Sequence, residues 1–360
     1  MTRAHNFCAG PCVLPESVLA EIGSEMVEYG SSGMSVIEMS HRSADYEAIH
    51  HDAIERLRRL SGAPDEFEIL LLQGGATLQF AMIPQNIVPA GQRAGYVMSG
   101  SWATKAYADA ALITDAYQAW APTDDGPARM PRPGEVTIEA DTAYLHVTTN
   151  ETIGGIRMPE LAGFGAPLVA DMSSEYLARP IDWSHYDVVY GGAQKNLGPA
   201  GLAIVFIRRP LLERTGDHVP SYLRYPVHAA ADSLANTPPT FPIWAMSKVL
   251  AWVEELGGVP AMEKRAAERS GLVYDAIERS GGFYRSPVDA ACRSHTNVVF
   301  RAGTEEQEKA FLAEAETNQL LNLKGHRSVG GIRASIYNGL PTESVETLVA
   351  FMADFAARQG

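Results

Sequence analysis

The chain has 360 residues, of which 46% are hydrophobic, and carries a formal net charge of -14 at pH 7. That length supports a large core, in two domains or in one large domain with an appendage. The acidic balance excludes an extended nucleic-acid or anionic-membrane surface, both of which need clustered positive charge, and leaves a small-molecule enzyme as the better reading.

The opening stretch MTRAHNFCAGPCVLP has no long apolar run and no small-residue cleavage pattern, and no later run reaches membrane-span length. The expectation is a cytoplasmic protein without a membrane partner, beginning with an N-terminal arm over residues 1–15. From about residue 16 to residue 256, short apolar runs alternate with helical patterns. EILLLQ leads to LQFAMIPQNIV, RAGYVMSG to WATKAYADAA, TAYLHVTT to a polar loop, APLVADMSS to a short loop, and YDVVYGG to a turn around Lys195 that opens directly into GLAIVFI. Near-continuous apolar strands need cover on both faces, so this pattern predicts an α/β fold with a mainly parallel, doubly wound sheet. Ligands of such sheets bind beyond the carboxyl ends of the strands. AWVEELGGVP closes a helix with two glycines and a proline. The helix and strand patterns after it predict a smaller C-terminal α+β domain over residues 257–360.

Lys195 is the residue that asks for a function. It is one of six lysines, and the other five lie in or beside polar or helical stretches. Lys195 leaves the end of a buried strand, where an ammonium needs a special reason to be. A buried lysine with a depressed pKa is a nucleophile for carbonyls, most often forming a Schiff base with pyridoxal phosphate. That cofactor needs a carboxylate for its ring nitrogen, a phosphate cradle and a flat partner for its ring. Asp171 ends the run APLVAD one strand-to-strand step earlier, although a turn or cap aspartate would read the same way. Gly74, Gly75, Ala76 and Thr77 lie between a strand and a helix, where backbone N–H groups and the helix dipole favour an anion. Trp102, after the next strand, has the area to stack on a ring, and Thr152 has a hydroxyl for a ring oxygen. Cys8, Cys12 and Cys292 are too few for a disulfide framework and form no zinc pattern, so no metal is expected. Asn150-Glu151-Thr152 matches the glycosylation sequon by chance.

Taken together, NFCAGPCVLPESVL, MSHRS, GGATLQF, SGSWATKA, NETIGGI, VADMSS, GGAQKNLGPAGL, NTPPTFPIW and GHRSVGGIRASIYNGL resemble the phosphoserine aminotransferases in collinear order. These are class V aminotransferases of the fold-type I pyridoxal-phosphate enzymes. The resemblance implies Lys195 as the Schiff-base lysine, Asp171 on the ring nitrogen, Trp102 on the ring face, Thr152 at the ring hydroxyl, and Ala76, Thr77 and Gln194 at the cofactor phosphate. It implies a homodimer with shared sites, in which Asn236 and Thr237 reach the neighbouring subunit's cofactor phosphate. Arg333 would take the α-carboxylate, with His41 and Arg42 from the partner, His326 and Arg327 meeting the substrate's other anionic end. The implied reaction moves an amino group between L-glutamate and 3-phosphohydroxypyruvate, giving O-phospho-L-serine and 2-oxoglutarate; bacterial members often also handle a phosphorylated four-carbon keto acid of vitamin B6 synthesis. Two positions depart from the pattern. Thr77 stands where some members have arginine, and Cys8 where serine is usual. The competing readings are an alanine- or serine-glyoxylate type of aminotransferase, a cysteine desulfurase using Cys292, and a non-catalytic cofactor-binding homologue.

Overall fold

The computed structural model describes residues 3–122, 126, 128–132, 134–159 and 164–359, so the first two residues of the expected arm lie outside the described residues. The main sheet contains β1 (Phe67–Gln73), β2 (Arg93–Val97), β3 (Asp115–Trp120), β4 (Thr142–Thr148), β5 (Leu168–Asp171), β6 (Val188–Gly192) and β7 (Leu202–Arg208). Their spatial order is β1-β7-β6-β5-β4-β2-β3. Strand β7 runs antiparallel to both neighbours, and the remaining pairs are parallel. The mainly parallel α/β sheet expected from the apolar runs is therefore present. Strand β3 was not expected: Asp115 and Gln118 interrupt its apolar residues, as suits a sheet edge with one exposed flank.

Alternation along each strand divides the core into two layers. Ile69, Leu71, Val189, Ile204 and Phe206 pack on one side with Ile243, Met246 and Leu250 of the helix Thr240–Glu255. Leu70, Leu72, Val169 and Val205 face the other side, against Phe80, Met82 and Ile83 of the helix Gly75–Ile87. Burying each of these larger aliphatic side chains contributes about 2 kcal/mol relative to leaving it in water. The strand ends are thereby held on a rigid platform.

A second core forms around the antiparallel strands Tyr284–Arg285, Asn297–Ala302 and Ile332–Ser335. Phe300, Phe311, Val345 and Phe355 pack there, along with Val273 and Ile277 of the helix Gly258–Arg279. The chain enters that helix through Gly257 and Gly258, whose φ angles of 98° and 72° lie where glycine is favoured. The N-terminal segment is held down as well. His5–Asn6 pairs in parallel with Leu320–Leu321, and Phe7 is buried in the second core. Among the described residues, no helix is long and apolar enough to cross a membrane.

A buried polar network joins the main sheet to the second core. Asn150, just beyond β4, donates to Ser174 Oγ and Asn297 Oδ1, both at 2.8 Å, while Ser294 Oγ donates to Asn150 Oδ1 at 2.6 Å. Asn297 continues the chain to Ser335 Oγ and the Tyr337 hydroxyl, both at 3.0 Å. Tyr337 in turn donates to Ala9 O at 3.0 Å, tying in the N-terminal segment. Each partner removed would leave a buried group unsatisfied, at a cost of about 1–3 kcal/mol.

Candidate active site

Six of the seven main strands deliver their carboxyl ends to the same edge of the sheet, and a cavity of about 310 Å³ lies there. Gly74 to Thr77, Trp102, Asp171, Gln194 and Lys195 line it. Lys195 is only 6% exposed, and its Nζ donates to Thr152 Oγ1 at 2.5 Å. The ammonium also lies 5.6 Å from the centre of the Trp102 ring. Burial drives the Lys195 pKa down to about 8, and the nearby Asp171 and Glu151 carboxylates oppose that fall. An amine that loses its proton near neutrality is a competent nucleophile and base.

Asp171, 5% exposed at the end of β5, accepts from Ser173 N at 2.9 Å and Ser173 Oγ at 2.6 Å, both through Oδ1. Burial raises its pKa, while Lys195 and the two Ser173 donors act in the other direction. It is thus a fixed carboxylate with acceptor capacity left for a ligand.

The two helices that open onto the cavity differ at their N-termini. The helix Gly75–Ile87 begins after Gly74, whose φ is 87°, with no side-chain cap and no acidic residue in its first turn. A Cβ at Gly74 would lie 2.6 Å from Leu78 Cδ2. Its leading N–H groups are left for an external anion, which is what a phosphate cradle requires. The helix Ser101–Ala110, which carries Trp102, is different: the carboxylate of Glu151 accepts from Trp102 N at 3.1 Å and from Ala103 N at 2.9 Å.

Arg333 reaches the site from the second core. In the strand Ile332–Ser335 its neighbours Ile332 and Ala334 are buried, while Arg333 is half-buried and donates through Nη1 to Thr152 O at 3.4 Å. His326 lies in the loop before that strand, with Nδ1 2.7 Å from Ser328 Oγ. Burial lowers its pKa, as do the positive charges of Arg333, Arg327 and Lys105, so these cations share one region. Arg327 itself is exposed.

Thr152 and Arg333 stand beside the cavity lining, Thr152 through its bond to Lys195 and Arg333 through its bond to Thr152, whereas His41, Arg42, Asn236 and Thr237 do not line the cavity in the single chain. His41 and Arg42 precede the helix Ala44–Ser61, with Arg42 exposed. Asn236 and Thr237 sit outside the end of β1, where Gln73 Nε2 and Asn236 Nδ2 both donate to Thr237 O at 2.9 Å.

The class-V aminotransferase family model matches residues 4–348. A phosphoserine aminotransferase of Niallia circulans is 47% identical over 359 residues, covering 99% of each chain. The solved phosphoserine aminotransferase of Bacillus circulans subsp. alkalophilus is 46% identical, covers 99% of each chain and superposes with a TM-score of 0.96. A PLP-bound phosphoserine aminotransferase from Trichomonas vaginalis is 35% identical, with a TM-score of 0.94 over 98% of this chain and all of that one.

The chain belongs to the class V aminotransferases.

Within this class V aminotransferase several cavity residues escaped the sequence reading. Gly10 and Pro11 of the N-terminal segment line the cavity, and Cys12 N donates to Gln194 O at 2.9 Å, with its thiol donating to Lys195 O. Burial pushes the Cys12 thiol up to about 12, so it stays protonated. The stretch FCAGPC stood out as a motif, but nothing local in it signals contact with a turn nearly two hundred residues away. Ser173 and Glu151 were likewise visible only as parts of DMSS and NETIGG. Cys292 is buried, with Met130 N–H directed at its sulfur at 3.4 Å. A desulfurase needs a mobile cysteine, and this one is packed in the core.

Proposed function

We propose that this chain, with pyridoxal 5'-phosphate bound, transfers the amino group between L-glutamate and 3-phosphohydroxypyruvate, giving O-phospho-L-serine and 2-oxoglutarate. The observation that carries the reading is the buried Lys195 amine, with Asp171, Trp102 and an uncapped helix N-terminus around one cavity. The residues fit the cofactor. Trp102 Nε1 and Gln194 Oε1 are buried with no hydrogen-bond partner among the described residues, and both side chains border the cavity. Ala76, Thr77 and Gln194 would hold the phosphate, Trp102 the ring face, Thr152 the ring hydroxyl and Asp171 the protonated ring nitrogen. When bound, the cofactor supplies an electron sink for the pair left behind as the substrate's α C–H bond breaks.

Lys195 is the group that moves the proton. Freed as an amine when the amino acid enters, its Nζ takes the proton from the α-carbon, and in the reverse half-reaction it returns one to that carbon. A pKa near 8 suits both tasks at neutral pH. Thr152 orients Nζ, and the Asp171 charge offsets positive charge on the ring nitrogen. Arg333 Nε is buried and unpartnered among the described residues, consistent with a guanidinium awaiting a carboxylate.

The same reading takes His41, Arg42, Asn236 and Thr237 as contributions to the other subunit of a homodimer. Their position outside the chain's own cavity supports this. His326 and Arg327 would join His41 and Arg42 at the phosphate. Residues 1–15 would form an arm, 16–256 a large cofactor-binding domain and 257–360 a small domain, in a cytoplasmic enzyme. The decisive experiment compares phosphohydroxypyruvate with hydroxypyruvate as acceptor, glutamate being the donor. Losing a phosphate removes several charge-assisted hydrogen bonds, so kcat/KM should fall by at least about a hundredfold. Equal constants for the two acceptors would overturn the substrate assignment.

A further inference from the structure

We infer that Glu151 is a positioning residue: it caps the helix Ser101–Ala110 from a distance and so fixes the Trp102 ring against Lys195. The inference rests on the reading of the cavity as a pyridoxal-phosphate site, and it concerns what holds the ring platform of that site in place.

Glu151 is fully buried, with 0% exposure, although a carboxylate is among the costliest groups to bury. Its acceptor atoms are all directed at one helix end. Oε2 accepts from Trp102 N at 3.1 Å, while Oε1 accepts from Ala103 N at 2.9 Å and Ser99 Oγ at 3.3 Å. The two backbone N–H groups are orphan donors that a helix normally satisfies with a local Ser, Thr, Asp or Asn. Here the cap position is Gly100, which has no side chain to offer. The reason lies in the packing: a Cβ on Gly100 would come within 2.7 Å of Glu151 Cδ. A local cap has been exchanged for a remote carboxylate that occupies the same space.

The loop bearing Glu151 controls both partners of the site. Its short strand Asn150–Glu151 pairs with Ile156–Arg157, and Gly155 N donates to Glu151 O at 2.8 Å, so the loop is stiff. Glu151 grips the backbone of Trp102, while the adjacent Thr152 accepts from Lys195 Nζ. Trp102 and Lys195 are thereby registered against each other by two consecutive side chains. There is a second consequence. With the Ser101–Ala110 helix end already filled by a carboxylate, the free N–H groups of the Gly75–Ile87 helix are the ones left for a phosphate. The burial of Glu151 pushes its pKa up to about 7, with Asp171 adding to the rise and the two helix N–H donors and Lys195 opposing it.

The test uses Glu151→Ala, Glu151→Gln and Gly100→Ala. Gly100 has φ 171°, an extended conformation open to any residue, so its replacement by alanine tests only the contact with Glu151. The first readout is the near-ultraviolet circular dichroism of Trp102 in the apo-protein, obtained by subtracting Trp102→Phe. The second is the dissociation constant of added pyridoxal phosphate. Glu151→Ala should abolish most of the Trp102 band and weaken cofactor binding by about ten- to a hundredfold, the loss expected for charge-assisted hydrogen bonds. Gly100→Ala should move both readouts in the same direction, and Glu151→Gln, which keeps an acceptor, should fall between wild type and Glu151→Ala. If Glu151→Ala does not fold, Gly100→Ala decides alone. A full Trp102 band and cofactor affinity within twofold of wild type in the folded variants would overturn the inference, even if melting temperatures fall. Failure of wild type to bind pyridoxal phosphate would instead sink the functional reading beneath it.

Discussion

The cavity around Lys195 and the surface bearing His41, Arg42, Asn236 and Thr237 are built on opposite plans. In the cavity, Lys195, Asp171 and Thr152 are buried, hydrogen-bonded and fixed by strand ends that the core holds rigid. On the surface, Arg42 and Thr237 are exposed, and the segment around Asn236 is held largely by bonds to its own backbone and to Gln73. The difference teaches that burial and fixed hydrogen bonds gather around the Lys195 amine, while these four residues stand outside its cavity. Burial tunes the pKa of Lys195, whereas charges on an exposed surface interact through solvent and are screened by it.

The largest effect should come from removing the buried amine. Lys195→Ala should lower amino transfer by at least about a thousandfold, since a positioned acid-base group contributes about 10² to 10⁴ and the covalent anchor is lost with it. The mutant should still fold and bind the cofactor without a covalent bond, as a spectral titration would reveal. Near-normal turnover would erase the contrast between the two regions by making the cavity lysine dispensable.

The surface region should respond more selectively. Arg42→Ala should lower kcat/KM for phosphoserine about ten- to a hundredfold, and that for glutamate less, because a phosphate offers more acceptor oxygens and charge than a carboxylate. The four constants, for two substrates in wild type and variant, decide whether Arg42 reads the phosphate. An unchanged ratio would remove it from that role.

A pH series sharpens the cavity side. Lys195 must lose its proton before it can attack an aldehyde, and its pKa is lowered from 10.5 to about 8. The rate at which apo-protein combines with pyridoxal phosphate should therefore rise about tenfold per pH unit below 8 and level off above it. A rate still climbing at pH 10 would mean that burial does not tune this amine.

The smallest signal, and the most informative about shared sites, comes from mixing Lys195→Ala with Arg42→Ala. If Arg42 serves the neighbouring subunit, half of the dimers in an equimolar mixture are mixed and one of their two sites is whole, so activity should return to about a quarter of wild type. No recovery after proven subunit exchange would assign Arg42 to its own chain.

The sequence made the apolar strands and the Lys195 turn legible because their signals are local: an uninterrupted buried run, then glycines, then an ammonium in a short turn before the next apolar run. Asp171 was legible for the same reason, at the end of APLVAD. The edge strand β3 was not, because Asp115 and Gln118 break up its pattern. Nor could the apolar run of β7 reveal its antiparallel direction, which depends on how the chain returns after the Lys195 turn. The contacts of Cys12 with Gln194 and Lys195, and of Glu151 with Trp102, join residues far apart in the chain. Such contacts follow from the packing of whole layers and leave no trace in spacing.

The fate of Asn150 bears on how the protein can be produced. The tripeptide Asn150-Glu151-Thr152 matches the acceptor sequence for N-linked glycans, yet all three residues are buried, and the Asn150 amide nitrogen already donates to Ser174 and Asn297. A eukaryotic secretory host attaches its glycan to such a sequence in an extended chain, before burial can protect it. The sugar would then occupy the nitrogen that must bridge the two cores, and the loop carrying Glu151 and Thr152 could not close. Production in a secretory host should therefore yield less folded enzyme than production in the cytosol, a difference that recovery of soluble protein from the two routes would measure.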